Sequence, residues 1–90
     1  MPAAETPSWS VYILRCGDGT LYTGIALDLA ARLAQHRAGT GARYTRGRAP
    51  LELVYREAAA SRSAASRREA AIKRCTRREK LALIQSMGMP

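Results

Sequence analysis

The sequence predicts a small α+β domain: a three-stranded antiparallel sheet flanked by helices, in the order β-β-α-β-α-α. Three observations predict it. Two runs rich in aromatic and β-branched residues, 8–15 and 20–25, flank a Gly17-Asp18-Gly19 turn. A third, alternating run follows at 51–56. Three other segments read as helices, with start signals at Asp28, at Ser61 or Ser63, and at Thr76.

The first two strands form a hairpin, for which Asp-Gly between apolar runs is a strong signal. A three-residue loop with Gly19 in the left-handed position makes the numbers of opposed residues sum to an even value. Tyr12 and Tyr22 then share one face, while Val11, Ile13 and Leu21 share the other. A two-residue Asp-Gly loop would send the tyrosines to opposite faces, because a one-residue slip flips every side chain. The odd loop is the expectation. Asp28 caps a helix over about 29–38, which Gly39 ends. Leu29 and Leu33 form its apolar stripe; Arg32 and His36, at i and i+4, share a second face. Residues 39–50 are a loop by their glycines and the closing Pro50. In the third strand Leu51, Leu53 and Tyr55 alternate with Glu52, Val54 and Arg56. A helix over 61–75 carries Ala65, Glu69 and Ile72. Thr76-Arg-Arg-Glu79 is a capping box that opens a last helix to about Ser86, before Gly88, with Leu81 and Ile84 as its buried face.

Ninety residues make one domain, expected over 8–87 behind a disordered tail, 1–7. The hydrophobic fraction is 47%, but 17 residues are alanine and none is phenylalanine, so the core is modest. Two cysteines, Cys16 and Cys75, make no disulfide framework, and a reduced cytoplasmic setting is expected. The short polar start has no apolar signal core, and no segment approaches a membrane span. Charge is one-sided: residues 1–40 sum to zero and residues 41–90 hold the whole net +8. Thirteen of the fifteen basic residues are arginine, the side chain that forks onto phosphate oxygens. That pattern points to nucleic acid.

The ordered set of residues resembles a GIY-YIG nuclease domain, and in particular the small stand-alone bacterial members (UPF0213). The resemblance covers about residues 9–85. Ser10-Val11-Tyr12 stands for the first triplet and Tyr22-Thr23-Gly24 for the second. Arg32 follows the second tyrosine by ten residues, His36 falls a helical turn later, and Glu69 lies in Arg-Arg-Glu-Ala. The loop Gly41-Ala-Arg43-Tyr44-Thr-Arg46-Gly-Arg48 resembles that of the stand-alone members. The resemblance implies hydrolysis of a nucleic-acid phosphodiester, DNA before RNA, with one divalent metal, Mg2+ or Mn2+, on Glu69. It implies Arg32 as a donor to the phosphate, Tyr12 as an orienting group, and either Tyr22 or His36 as general base. Arg43, Tyr44, Arg46 and Arg48 are expected to bind nucleic acid. Ser10 replaces a family glycine, Thr23 a family isoleucine, and the asparagine that some members place after the glutamate is missing. With no appended DNA-binding domain or zinc module, the chain is expected to be weakly selective, to recognise DNA shape, or to act with a protein partner.

Blander readings exist for each residue. The tyrosines can serve as strand aromatics, Arg32 as a solvated helix residue, His36 as a helix-end decoration, and Glu69 as a surface partner of Arg62 or Lys73. Two function classes follow: a metal-dependent endonuclease of repair or recombination, or a basic nucleic-acid-binding module with a vestigial site. A basic helical adaptor leaves the tyrosine–arginine–glutamate set unexplained.

Overall fold

The computed structural model describes residues 8–86; the expected tail and residue 87 lie outside them. The elements are β1 (Trp9–Arg15), β2 (Leu21–Ala26), α1 (Leu29–Arg37), β3 (Glu52–Ala59), α2 (Arg62–Lys73) and α3 (Arg77–Ser86), with a single 3-10 turn at Arg43–Thr45. The order is the one the sequence predicts. The sheet is antiparallel with β1 in the middle, β2-β1-β3.

Hairpin parity comes out even. Tyr12 faces Gly24 and Leu14 faces Tyr22 in the β1–β2 ladder. The Cys16 N–H bonds the Thr20 carbonyl at 2.9 Å, closing a loop of 17–19. Gly19 sits at φ 86, a conformation that costs glycine no Cβ clash. Asp18 accepts from the Thr20 N–H and hydroxyl at 3.1 and 2.6 Å, which fixes the turn.

With β1 central and covered on both sides, Ser10 to Leu14 are all buried. One face packs Val11, Ile13, Val54 and Tyr55 against Ala65 and Ile72 of α2 and Ile84 of α3. The other packs Tyr12, Leu14 and Ala26 against Leu29 and Leu33 of α1, with Leu53 and Tyr22 beside them. The even parity therefore puts both tyrosines on the α1 side.

Two expectations are corrected. The strict alternation in β3 fails, because the register shifts between Ile13 and Leu14: Ile13 faces Tyr55 while Leu14 faces Leu53. Val54 is the extra residue of a bulge, which bends the strand and lets two successive side chains face the same core. Tyr55 thus joins Val54 on the α2 side, away from Leu53. In α3, Leu81 is 38% exposed, and Leu83 packs on the core beside Ile84 instead.

The caps form as read. Asp28 accepts from the Ala31 N–H at 3.0 Å and Ser61 from Ala64 at 3.1 Å. Thr76 and Glu79 bond each other's N–H groups at 3.1 and 2.8 Å, a complete capping box. Each such cap contributes about 1 kcal/mol. Cys16 and Cys75 are free thiols. No helix among the described residues is long and apolar enough to cross a membrane.

Candidate active site

The site starts from β1. Tyr12 is wholly buried, and its hydroxyl lies 2.8 Å from Nε2 of His36. His36 is only 2% exposed and is the sole fully buried residue of α1. Its Nδ1 lies 2.9 Å from the Thr45 hydroxyl oxygen, and that hydroxyl donates to the Ala42 carbonyl at 3.0 Å. His36 is therefore no helix-end decoration: both ring nitrogens are engaged. The loop after α1 folds back over the ring because Gly41 has no side chain. A Cβ there would come 2.5 Å from Nδ1. Gly24 plays the same part for Tyr12: a Cβ there would meet the phenol oxygen at 2.6 Å.

Tyr22 stands next to this pair, half-buried. Its ring centroid is 6.3 Å from that of Tyr12 and 5.4 Å from that of His36, edge to face with the latter. Tyr44 stacks on Tyr22 with centroids 5.7 Å apart. The Arg48 guanidinium lies 4.3 Å above the Tyr44 ring, bonds the Tyr44 carbonyl through Nε at 2.7 Å, and pairs with Asp18. The Gly17 N–H bonds the Arg48 carbonyl at 2.6 Å. Arg48 thus ties the loop to the β1–β2 turn. Arg43 and Arg46 are exposed, and neither makes an ion pair among the described residues.

Charges reach the tyrosines from two helices. Burial pushes the Tyr12 pKa up, helped by Tyr22 and Glu69 and opposed by Arg32. Burial also raises Tyr22; Lys73 and Arg32 pull it down and Glu69 pushes it up. Burial lowers His36, and Arg32 lowers it further, so the imidazole is held neutral. Arg32, half-buried on the His36 face of α1, influences all three rings. Glu69 projects from α2, which packs along β2 and β1. Its Oε2 is 3.4 Å from the Lys73 ammonium. The helix-surface pair expected of a bland Glu69 therefore exists, and the same carboxylate acts on both phenols.

A metal has one candidate ligand here. Among the described residues no three His, Cys, Asp or Glu side chains gather into a cage. A partly exposed carboxylate beside the tyrosines suits a magnesium ion that takes most of its shell from water and substrate phosphate. The donor chemistry fits such an ion and not a zinc site.

Of the residues expected in the site, the structure gathers Tyr12, Tyr22 and His36 into one cluster that feels the charges of Arg32 and Glu69, sets Tyr44 against Tyr22, ties Arg48 to Asp18 and leaves Arg43 and Arg46 exposed. Thr45 becomes visible only once the loop is folded over His36. Lys73 is not among the residues expected in the site, although the i,i+4 spacing from Glu69 signals the pair. Asp18, read in the sequence as a turn residue, is also the partner of Arg48.

A three-stranded sheet carrying two tyrosines on one face, with arginine and histidine on the covering helix and a glutamate on the next, defines a GIY-YIG domain. The chain belongs to that family: the sequence model of the GIY-YIG catalytic domain matches residues 8–82. Within this nuclease superfamily it is similar to UPF0213 proteins. It is 49% identical over 86 residues to UPF0213 protein DP2720 of Desulfotalea psychrophila, which spans 94% of this chain and 78% of the relative. It is 52% identical over 75 residues to a UPF0213 protein of Streptococcus sanguinis, spanning 83% and 86% of the two chains. The solution NMR structure of UPF0213 protein BH0048 from Bacillus halodurans matches with a TM-score of 0.61 at 43% identity, over 92% of this chain and 88% of that one. The solution NMR structure of EF2693 from E. faecalis matches with a TM-score of 0.65 at 36% identity, over 93% and 90%.

Proposed function

We propose that this protein is a metal-dependent endonuclease that hydrolyses phosphodiester bonds of nucleic acid, with DNA in repair or recombination as its setting. The observation that supports this most is the meeting of Tyr12, Tyr22 and His36 in one ring cluster under the charges of Arg32, Lys73 and Glu69. Nucleic-acid binding alone needs none of that arrangement.

Each residue has work that its place allows. Arg43 and Arg46 meet the phosphate backbone from the open side of the loop. Arg32 supplies donors to the charge that builds on the scissile phosphate. Tyr22 takes the proton of the attacking water, or holds that water in line, because it is the less buried of the two tyrosines. His36 has no free nitrogen and acts through Tyr12, which is buried beside Tyr22 and orients it. A free phenol at neutral pH is only about 0.1% ionised, and burial makes Tyr22 a still weaker acid. Lys73 and Arg32 work against that penalty, and Glu69 works with it. Glu69 would hold the divalent cation, Mg2+ or Mn2+, which when bound would supply Lewis-acid polarisation of the phosphate and offset the carboxylate's charge on Tyr22.

Glu69→Ala tests the reading. The variant is expected to lose metal-dependent cleavage and to keep its affinity for the same DNA. Full cleavage by Glu69→Ala removes the carboxylate from the mechanism. Tight binding by the native chain without cleavage favours the binding module with a vestigial site.

A further inference from the structure

The hydrogen-bond chain behind the tyrosines has a direction. Thr45 has one hydroxyl proton, and it goes to the Ala42 carbonyl, a group that can only accept. The Thr45 oxygen is therefore the acceptor in its 2.9 Å contact with His36, and Nδ1 carries the proton. A neutral imidazole has one N–H, so Nε2 is bare and accepts from the Tyr12 hydroxyl at 2.8 Å. The order runs Tyr12 O–H to Nε2, Nδ1–H to Thr45, Thr45 O–H to Ala42.

We infer that Thr45 is a positioning residue of this site: it holds His36 as the Nδ1–H tautomer and so aims the Tyr12 proton at Nε2, with the Tyr12 lone pairs turned away from His36. With the opposite tautomer, Nε2–H would point at the Tyr12 oxygen and the phenol proton would turn away from His36. The O–H dipole of Tyr12 beside Tyr22 would then be turned round. Thr45 is suited to the task because it is 2% exposed, with no water to compete for its hydroxyl. Gly41 lets the loop lie against Nδ1. The groups facing His36 are Tyr12 from β1, Tyr22 from β2, Arg32 from its own helix and Thr45 from the loop; none is an anion that would favour the imidazolium. The bearing on catalysis rests on the nuclease reading, whereas the tautomer itself does not.

His36 is the only histidine in the chain, so its ring can be read without ambiguity. The test is a two-bond proton–nitrogen correlation spectrum of the 15N-labelled full chain at neutral pH. The expected spectrum has a protonated Nδ1 and a bare Nε2, the reverse of the tautomer that free histidine favours. The Nδ1 proton should exchange slowly with water and show a nuclear Overhauser contact to the Thr45 methyl. A protonated Nε2, a doubly protonated ring, or a rapidly exchanging Nδ1 proton overturns the inference, and this needs no variant. Thr45→Val should lose the preference for Nδ1–H, and Thr45→Ser should retain it. A folded Thr45→Val that keeps the Nδ1–H tautomer shows that Thr45 does not set it. In cleavage assays Thr45→Val should lower kcat at least tenfold with KM little changed, and Thr45→Ser should restore it. The expected spectrum in a chain that cuts no substrate would count for the tautomer and against the nuclease.

Discussion

Tyr12→Phe removes one oxygen atom and keeps the ring that fills the core under α1. The deleted hydroxyl is the only partner of Nε2 among the described residues, on a ring that is 2% exposed. A buried acceptor left without a donor costs about 1–3 kcal/mol. Ring packing against Leu14, Ala26 and Leu29 is unchanged, so no cavity term adds to that figure. For a domain of this size each kcal/mol moves Tm by about 4–8 °C, so a loss of about 2 kcal/mol lowers it by about 8–16 °C. The assay is reversible thermal unfolding followed by circular dichroism at neutral pH. Tyr44→Phe serves as the matched control, because its ring is 41% exposed, and surface substitutions of that kind stay within about 0.5 kcal/mol. A Tyr12→Phe midpoint that falls no further than that of Tyr44→Phe would refute the claim that the Tyr12–His36 bond is buried and strong.

Three further outcomes follow from the same geometry. Because burial and Arg32 lower the His36 pKa below its ordinary 6.5, the unfolded chain binds the extra proton first. Stability from this group is therefore full above about pH 6.5 and falls as pH drops toward the folded value; His36→Gln should flatten that part of a Tm-against-pH curve, and an unchanged slope would contradict the assignment. The Thr23 hydroxyl is buried with no hydrogen-bond partner among the described residues, so Thr23→Val should stabilise the fold by about 1–3 kcal/mol in urea unfolding; destabilisation would mean that the hydroxyl is bonded in solution. Replacing Arg43 and Arg46 together with Gln should weaken DNA binding and reduce the salt slope by about 1–2, and an unchanged slope would place the binding surface elsewhere.

Much of this was legible in the residues because the signals were local. Gly17-Asp18-Gly19 sets the loop length, loop length sets parity, and parity puts Tyr12 and Tyr22 on one face. The Thr76–Glu79 box and the Asp28 cap need only a few neighbouring residues each. The β3 bulge was hidden because Leu53, Val54 and Tyr55 are all apolar, and an apolar run does not say which side each residue faces. Leu81 looked buried because α3 carries three leucine or isoleucine positions on adjoining faces, and the sheet covers only part of them. His36 was the hardest to place. A polar residue near a helix end usually faces water, and its burial depends on a loop that returns nine residues later to supply Thr45. The charge of Lys73 on Tyr22 likewise exists only after α2 packs along β2.

The most direct measurement is cleavage of labelled single-stranded, duplex, flapped and branched DNA by the native chain and by Tyr22→Phe, with Mg2+, Mn2+ or chelator present. The nuclease account requires metal-dependent cutting of at least one of these by the native chain, and a loss of at least a hundredfold in Tyr22→Phe, the low end of what a general base contributes. Cutting that persists in chelator, or that Tyr22→Phe performs at the native rate, would contradict it.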